Sequence, residues 1–490
     1  MAKLKLQGKD LRKINYPEDR TIAIVIDVMH KHYKHHSLED VLKLLQDILD
    51  NPFEFTESEP LSKIANALID YNIRLLRKGE QSHMTISEEL LNDVISTNDG
   101  KEFFLRKEKL EYTSYGANDI EEGAIKQMET AMKLPVTVAG ALMPDAHQGY
   151  GLPIGGVLAT QNAVIPFGVG VDIGCRMCLS VFDINDKMLK SKQDYFENIL
   201  KENTLFGAGR EFTKTTPHEV LDRNEFDENP LLKSLQFKAA KQLGSSGSGN
   251  HFVEFGIVEI KEENNALNLP IGNYIGLLSH SGSRGLGATV ANHYTKLAMQ
   301  TCKLPNEAKH LAWLSLDTQE GMEYWLAMNL AGDYASACHH TIHEKISKAL
   351  KEEPLCVVEN HHNFAWKEMH DGQELIVHRK GATPAGKNVL GIIPGSMTAP
   401  GFIVNGKGIA ASLDSASHGA GRRMSRSKAL SSITMNDMKK LLKDNGVTLL
   451  GGGLDEAPQA YKDINKVMNA QTELVDIVGT FYPKIVKMDQ

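Results

Sequence analysis

In VGVDIGCRMC (169–178), Asp172 and Cys175 stand three residues apart among small residues that permit a turn. A carboxylate and a thiolate so placed can ligate a divalent cation, and a thiolate can bridge two. Cys178 completes a CxxC, which alone would suggest a zinc or redox site. There is no second CxxC, and Cys178 leads into the apolar run CLSVF, so it reads as a buried strand residue. In GSSGSGNHFVEFG (244–256), glycines and serines precede Asn250, His251, Phe252 and Glu254. Small residues let a ligand approach the backbone closely. On a strand, Phe252 and Glu254 would share a face.

Four further stretches carry imidazole or cationic groups. LLSHSGSRGLG (277–287) ends an apolar run at His280 and continues into a Gly/Ser loop with Arg284. Such a loop can hold an oxyanion, and a guanidinium can pair with phosphate through two hydrogen bonds. ENHHNFAWKE (359–368) supplies His361, His362 and Asn363; either histidine alone reads as solvated. VHRKGATPAG (377–386) carries Arg379 and Lys380, and Ser396 lies in the tight turn of GIIPGSM (391–397). In LDSASHGAGRRMSR (413–426), His418 stands among small residues, followed by Gly421, Arg422, Arg423 and Arg426. DEAPQAYKD (455–463) adds Tyr461, whose ring could stack on a base. Each signal alone is weak. Together they describe a metal-dependent enzyme acting on phosphates, with metal chemistry and phosphate contacts on one chain.

The elements that must position these residues follow from periodicity. Residues 1–112 read as a small helical module, with apolar residues at helical spacing and Ser37 and Ser58 as expected N-caps. Residues 113–490 change texture. Glycine-rich turns separate the β-like runs GGVLAT, CLSVFDI, YIGLLSH, ELIVHR, VLGIIP and GFIVNG. Helical patterns fall at 121–133, 187–203, 286–301, 319–351 and 434–444. This is an α/β (α+β) fold with a large catalytic domain of mixed sheets and surrounding helices. The polar stretch 204–235 reads as a surface insertion. With 490 residues the chain has ample core. The N-terminus lacks an apolar leader run, and five cysteines suggest free thiols in a reducing cytoplasm. A formal charge of −8 requires any nucleic-acid contact to come from a local basic surface.

MPDAHQGYGLPIGG, VGVDIGC, GNHFVE, HSGSRGLG, HHN, HRKGAT, IPGSM, SHGAGRRMSR and DEAPQAYKD resemble, in that order, the signature blocks of the RtcB family of RNA-splicing ligases. The resemblance runs from about residue 120 to the C-terminus. It implies a GTP- and Mn²⁺-dependent RNA ligase in tRNA splicing or RNA repair. Such an enzyme joins a 3′-phosphate or 2′,3′-cyclic phosphate end to a 5′-hydroxyl end, without a membrane. By position, the resemblance implies that Asp172, Cys175, His251, His280 and His362 hold two manganese ions, Cys175 bridging. It implies guanylate contacts from Asn250, Phe252, Glu254, Asn363, Ser396, Gly421 and Tyr461, and His418 as the nucleophile that becomes guanylylated. Arg284, Lys380, Arg422 and Arg426 match phosphate or RNA contacts. The family's guanine-contacting C-terminal lysine is matched by Lys487, with Lys484 the alternative.

The chain departs from the family pattern in three places. Arg176 replaces the second glycine of a GCGM block, Gly401 stands where a second guanylate-binding serine is common, and Ser245 and Ser246 stand where several members have LG. The departures spare the expected ligands and nucleophile. They leave a rival on the same scaffold: an RNA 3′-end guanylyltransferase or cyclic phosphodiesterase without efficient sealing.

Overall fold

The computed structural model of the protein describes residues 4–17, 20–56, 58–77 and 101–489. Residues 78–100, part of the expected N-terminal module, lie outside the described residues. The fold is α/β: helices surround mixed sheets, and the expected periodic segments become elements close to their expected bounds. The helical patterns correspond to Glu122–Ala131, Met188–Ser191 with Gln193–Asn203, Arg284–Thr301, Gln319–Leu350 and Met435–Asp444. No helix among the described residues is long and apolar enough to cross a membrane.

In the N-terminal part, the helix Leu38–Asp50 buries Val41, Leu45 and Ile48 on one stripe. The Ser37 hydroxyl accepts from the Asp40 N–H at 3.1 Å, a cap worth about 1 kcal/mol. Ser58 does not cap. A turn through Pro60 intervenes and the next helix starts at Ser62, whose N–H donates to the Ser58 carbonyl instead. Leu11, Ile24, Leu45 and Ile64 belong to one hydrophobic cluster with Leu316, Tyr324, Met328 and Leu330 of the later chain. Burying each such side chain contributes roughly 1.5–3 kcal/mol. The stretch 204–235 is not a surface insertion throughout: Phe226 and Leu232 are buried in the same cluster.

The largest sheet has eight strands. Seven lie in the order Cys356–His361, Arg176–Phe182, Gly272–Ser281, Phe252–Ile260, Val475–Met488, Gly401–Gly406 and Leu390–Ile393, with Thr448–Leu450 pairing beside Val475–Met488. Neighbours in the seven-strand order are antiparallel. A five-stranded sheet runs Asn363–His370, Gln373–Lys380, Ile154–Thr160, Thr137–His147 and Thr113–Ser114. A short ribbon pairs Ala382–Pro384 with Ser415–Ser417. The chain passes between the two larger sheets at His362, and the candidate site lies at that junction.

Candidate active site

Strand register assembles four of the five expected ligands. Cys175 immediately precedes Arg176–Phe182, His251 precedes Phe252–Ile260, His280 is next to last in Gly272–Ser281, and His362 follows Cys356–His361. Pairing sets Met177 and Phe252 opposite His280, and His361 opposite Arg176. Neighbouring strands lie about 4.8 Å apart, so these ends form one row. Asp172 joins from the preceding turn, where the Cys175 N–H donates to its carbonyl at 3.2 Å. The Ser283 N–H donates to Asp172 Oδ1 at 3.1 Å. Gly282 permits this approach, because a Cβ there would collide with the Asp172 carboxylate.

The donor atoms converge. Cys175 Sγ lies 3.2 Å from His280 Nε2 and 3.5 Å from His251 Nε2. His280 Nε2 lies 3.1 Å from His362 Nε2, and His251 Nε2 lies 2.9 Å from Asp172 Oδ2. Two overlapping triads result, Cys175–His280–His362 and Asp172–Cys175–His251, each with its ligand atoms within 4.8 Å of one another. The shared member is the thiol. The His280 Nδ1–H donates to the Asn250 carbonyl at 3.0 Å, which leaves a lone pair on Nε2 facing inward. Burial pushes His280 down to about 3 and His362 well below the usual histidine range. Burial and Asp172 push the Cys175 thiol well up. Three imidazoles, a carboxylate and a thiol around one point are a donor set that fits divalent cations.

His418 enters from the other side, directly after the strand Ser415–Ser417. Its Nδ1–H donates to Asp145 Oδ2 at 2.6 Å, and its backbone N–H donates to the same oxygen at 3.2 Å. Asp145 is fully buried. Burial alone would raise its carboxyl, but His418, His147 and Lys462 hold it below the usual carboxylate range. The sequence motifs did not single out Asp145, although it lies in MPDAHQGYG. The His418 and His362 rings stand 5.0 Å apart. Arg379, expected as a basic pair with Lys380, is instead fully buried. It donates to Glu368 Oε1 and Oε2 at 2.6 and 2.9 Å and to Ser415 Oγ at 2.7 Å, anchoring the strand that leads into His418.

A cavity of about 400 Å³ is lined by His418, all five candidate ligands, and Asn250, Phe252, Glu254, Asn363, Ser396, Gly421, Tyr461, Lys380, Arg422 and Arg426. Phe252 and Glu254 share the cavity-facing side of their strand, as alternation requires. Glu254 is buried, and burial raises its carboxyl well above the usual range. Burial lowers the Lys380 ammonium to about 7. Gly421 has φ +70°, and a Cβ there would collide with the Asp145 carbonyl. Arg422 and Arg426 reach the cavity but pair with Glu456, at 3.3 Å for Arg422, and Arg426 also pairs with Asp455 at 2.6 Å. The Tyr461 hydroxyl donates to Glu456 as well.

Two expected residues do not line the cavity. The Arg284 guanidinium turns back, donating to Ser245 Oγ at 3.1 Å and the Gly207 carbonyl at 2.8 Å. Lys487 points to the opposite face of its strand, since Val486 and Met488 face the cavity. Its ammonium donates to the Leu200, Lys201 and Thr204 carbonyls at 3.1, 3.3 and 3.2 Å, at the end of the helix Gln193–Asn203. A cation is favoured there. Lys484 lines a separate cleft beside the helix Met435–Asp444.

Other sequence expectations resolve locally. Cys178 is a fully buried strand residue. His361 and His362 are not solvated: His361 stacks on Trp366 at 4.8 Å and His362 is buried. Arg176 points away from the ligands and pairs with Glu359 at 3.3 Å. All five cysteines are free thiols.

The family model described as tRNA-splicing ligase RtcB matches residues 127–488. The chain is 32% identical over 401 residues to the RNA-splicing ligase RtcB1 of Escherichia coli strain ATCC 25922, covering 74% of this chain and 93% of that protein. It is 31% identical over 436 residues to the tRNA-splicing ligase RtcB of Nanoarchaeum equitans, covering 75% and 91%. With most of its length matched and the site blocks converging on one cavity, the chain belongs to the RtcB family, a family of enzymes.

Proposed function

We propose that this chain is an RNA ligase that joins an RNA 3′-phosphate or 2′,3′-cyclic phosphate end to a 5′-hydroxyl end, using GTP and manganese and passing through a guanylylated His418. The observation that carries the reading is the His418–Asp145 pair. A fully buried carboxylate holds the Nδ1 proton at 2.6 Å, so the Nε2 lone pair is free in the cavity lined by the five metal-ligand candidates. This is an activated-nucleophile arrangement, with the ring oriented by a third group.

Asp172, Cys175, His251, His280 and His362 would hold two divalent cations, with Cys175 common to both triads. Bound there, such cations neutralise phosphate charge and polarise phosphoryl oxygens. The donor set alone would also accept zinc or cobalt; manganese rests on the family resemblance. Phe252, Tyr461 and the buried Glu254 carboxyl, which has no hydrogen-bond partner among the described residues, form the wall offered to the guanine base. His418 Nε2 attacks the GTP α-phosphorus, a P–N bond forms, and pyrophosphate leaves. An RNA 3′-phosphate oxygen then attacks the same phosphorus and releases the imidazole, leaving a guanylylated RNA end. The 5′-hydroxyl attacks the RNA phosphorus, its proton is lost, and GMP departs. A cyclic phosphate must first be opened by water. Asp145 keeps the ring in one tautomer and stabilises the positive charge it develops on attack. Lys380, lowered by burial, regains its proton beside a phosphate and so adds charge where it is needed.

The test is covalent labelling with α-labelled GTP. Wild-type protein takes up label and His418→Ala does not; label on the variant would overturn the nucleophile assignment. A nicked RNA then separates the rival reading, since a guanylyltransferase caps its end without making the strand continuous.

A further inference from the structure

Tyr150 is 70% exposed, an unusual state for a large ring beside a buried site. Its hydroxyl has no protein partner among the described residues. The ring is backed by two others: Phe167, with centroids 6.3 Å away, and His310, 6.1 Å away and edge-on. Phe167 and His310 pack on each other at 5.2 Å. The cluster is tied to the cavity through Lys380, which lines it. The Lys380 ammonium donates to the Tyr150 carbonyl at 2.5 Å and lies 4.7 Å from the centre of the Phe167 ring. The loop is seated firmly: Gly151 has φ +68°, and a Cβ there would stand 2.9 Å from the His310 carbonyl oxygen.

Location separates this ring from other exposed aromatics. None of the three lines the cavity, but among the described residues only Tyr150 is hydrogen-bonded to a lining residue, Lys380; Phe104 and Phe237 are comparably exposed without such a tie, and the Lys241 ammonium lies over the Phe237 ring at 4.7 Å. A ring presented to solvent, packed against two further rings and tied through its own carbonyl to a cavity-lining ammonium, matches what a single-stranded end requires. Every base has a π-face, so stacking on an aromatic side chain is tolerant of sequence, while a neighbouring cation holds the phosphate.

We infer that Tyr150, backed by Phe167 and His310, is a stacking platform for the terminal base of an RNA strand whose end phosphate enters the cavity past Lys380. The inference rests on the RNA-ligase reading above. It assigns to the exposed rim the part of the substrate that the cavity does not hold. Because the platform is tolerant, it would help ends of any sequence, which suits an enzyme that recognises end chemistry rather than a base code.

The experiment uses full-length protein and a five-nucleotide single-stranded RNA ending in a 3′-phosphate, with 2-aminopurine as its last base. Stacking quenches 2-aminopurine, so wild type and Tyr150→Phe should bind with quenching. Tyr150→Ala should bind about ten-fold more weakly and without quenching. A second RNA lacking the terminal base should lose affinity for wild type and bind wild type and Tyr150→Ala alike. Equal binding of the intact RNA by wild type and Tyr150→Ala would overturn the platform. So would equal binding of the two RNAs by wild type. GTP labelling of wild type reads the parent proposal separately. Label together with a Tyr150→Ala affinity equal to wild type removes the platform and keeps the ligase; no label together with Tyr150-dependent quenching does the reverse.

Discussion

Two groups of buried histidines lie on either side of the strand Gly272–Ser281, and they differ in how their nitrogens are used. On the cavity side, the Nε2 atoms of His251, His280 and His362 crowd around Cys175, while Nδ1 of His251 and of His362 has no hydrogen-bond partner among the described residues. On the helix side, every ring nitrogen of His339 and His343 is paired. Ser279 Oγ meets His339 Nδ1 at 2.6 Å and His343 Nε2 at 2.8 Å. Ser180 Oγ meets His343 Nδ1 at 2.7 Å, and the Ser281 carbonyl meets His339 Nε2 at 3.1 Å. Burial is the same in both groups. An imidazole whose nitrogens are all paired is part of the packing. A set that gathers three Nε2 atoms and a carboxylate on one thiol, with two Nδ1 atoms left unpaired among the described residues, is arranged around a common point, and that difference marks the metal candidate without reference to any family.

The comparison breaks most visibly at Cys175, the atom common to both triads. Cys175→Ala should lose both cations together, so elemental analysis falls from two manganese per chain to none. On the proposed reading manganese should raise the melting temperature of wild type, because a ligand that binds only the native state stabilises it, and Cys175→Ala should lose that rise. Retention of one full equivalent would show that the two triads act independently and that the thiol does not bridge.

On the paired side the sign of the result reverses. His343→Ala removes a ring that satisfies two serine hydroxyls in a packed interior. The cavity and the orphaned Ser180 hydroxyl should cost about 3 kcal/mol in denaturant unfolding, while two manganese still bind. Loss of metal at unchanged stability would mean that this group, too, belongs to the site.

Arg176 sharpens the boundary between the groups. Its guanidinium pairs with Glu359 and donates to the Gly332 carbonyl at 3.0 Å, and Glu359 also pairs with His340 at 3.3 Å. Arg176→Gly restores the residue common in the family and leaves Glu359 with His340. We expect a loss of about 1–2 kcal/mol, discounted because Glu359 is partly exposed, with His418 labelling preserved. Labelling lost at preserved stability would place Arg176 in the reaction.

Much of this site was legible because its blocks are strand ends. Periodicity located the strands, and register placed Cys175, His251, His280 and His362 side by side. What escaped the sequence was long-range or depended on parity. Asp145 and His418 are separated by 273 positions, and nothing local to MPDAHQGYG marks its aspartate as a histidine's partner. The choice between Lys487 and Lys484 could not be made by alternation, because the strand Val475–Met488 has an irregular register between Pro483 and Ile485. Alternation cannot be counted from one end of YPKIVKMDQ to the other across such a shift. Arg284 reads as a phosphate contact from its chemistry beside a Gly/Ser loop, and nothing local shows that its guanidinium turns back to Ser245 and Gly207. Its partner Ser245 lies in one of the departures from the family pattern, so the pairing belongs to this chain's own packing. Ser58 carried a capping signature, but the turn through Pro60 put the helix start four residues later.

The smallest expected effect is on acid stability, and it also follows from the paired histidines. Burial lowers His343 to about 3 and His378 to about 4. His378 is held neutral by geometry as well: its Nε2 accepts from the Ile165 N–H at 2.9 Å and its Nδ1–H donates to the Leu158 carbonyl at 3.1 Å. In the unfolded chain both groups bind protons near the ordinary histidine value of 6.5. Below that value the unfolded state holds more protons than the native state, so stability falls as pH drops and continues to fall until each native value is reached. Between pH 7 and 6 each histidine should cost roughly 0.7 kcal/mol. Denaturant unfolding of metal-free protein at the two pH values measures the sum, and His378→Asn should reduce it by about one histidine's share. A slope unchanged by that substitution would mean that His378 is already protonated in the native fold, contrary to its two backbone hydrogen bonds.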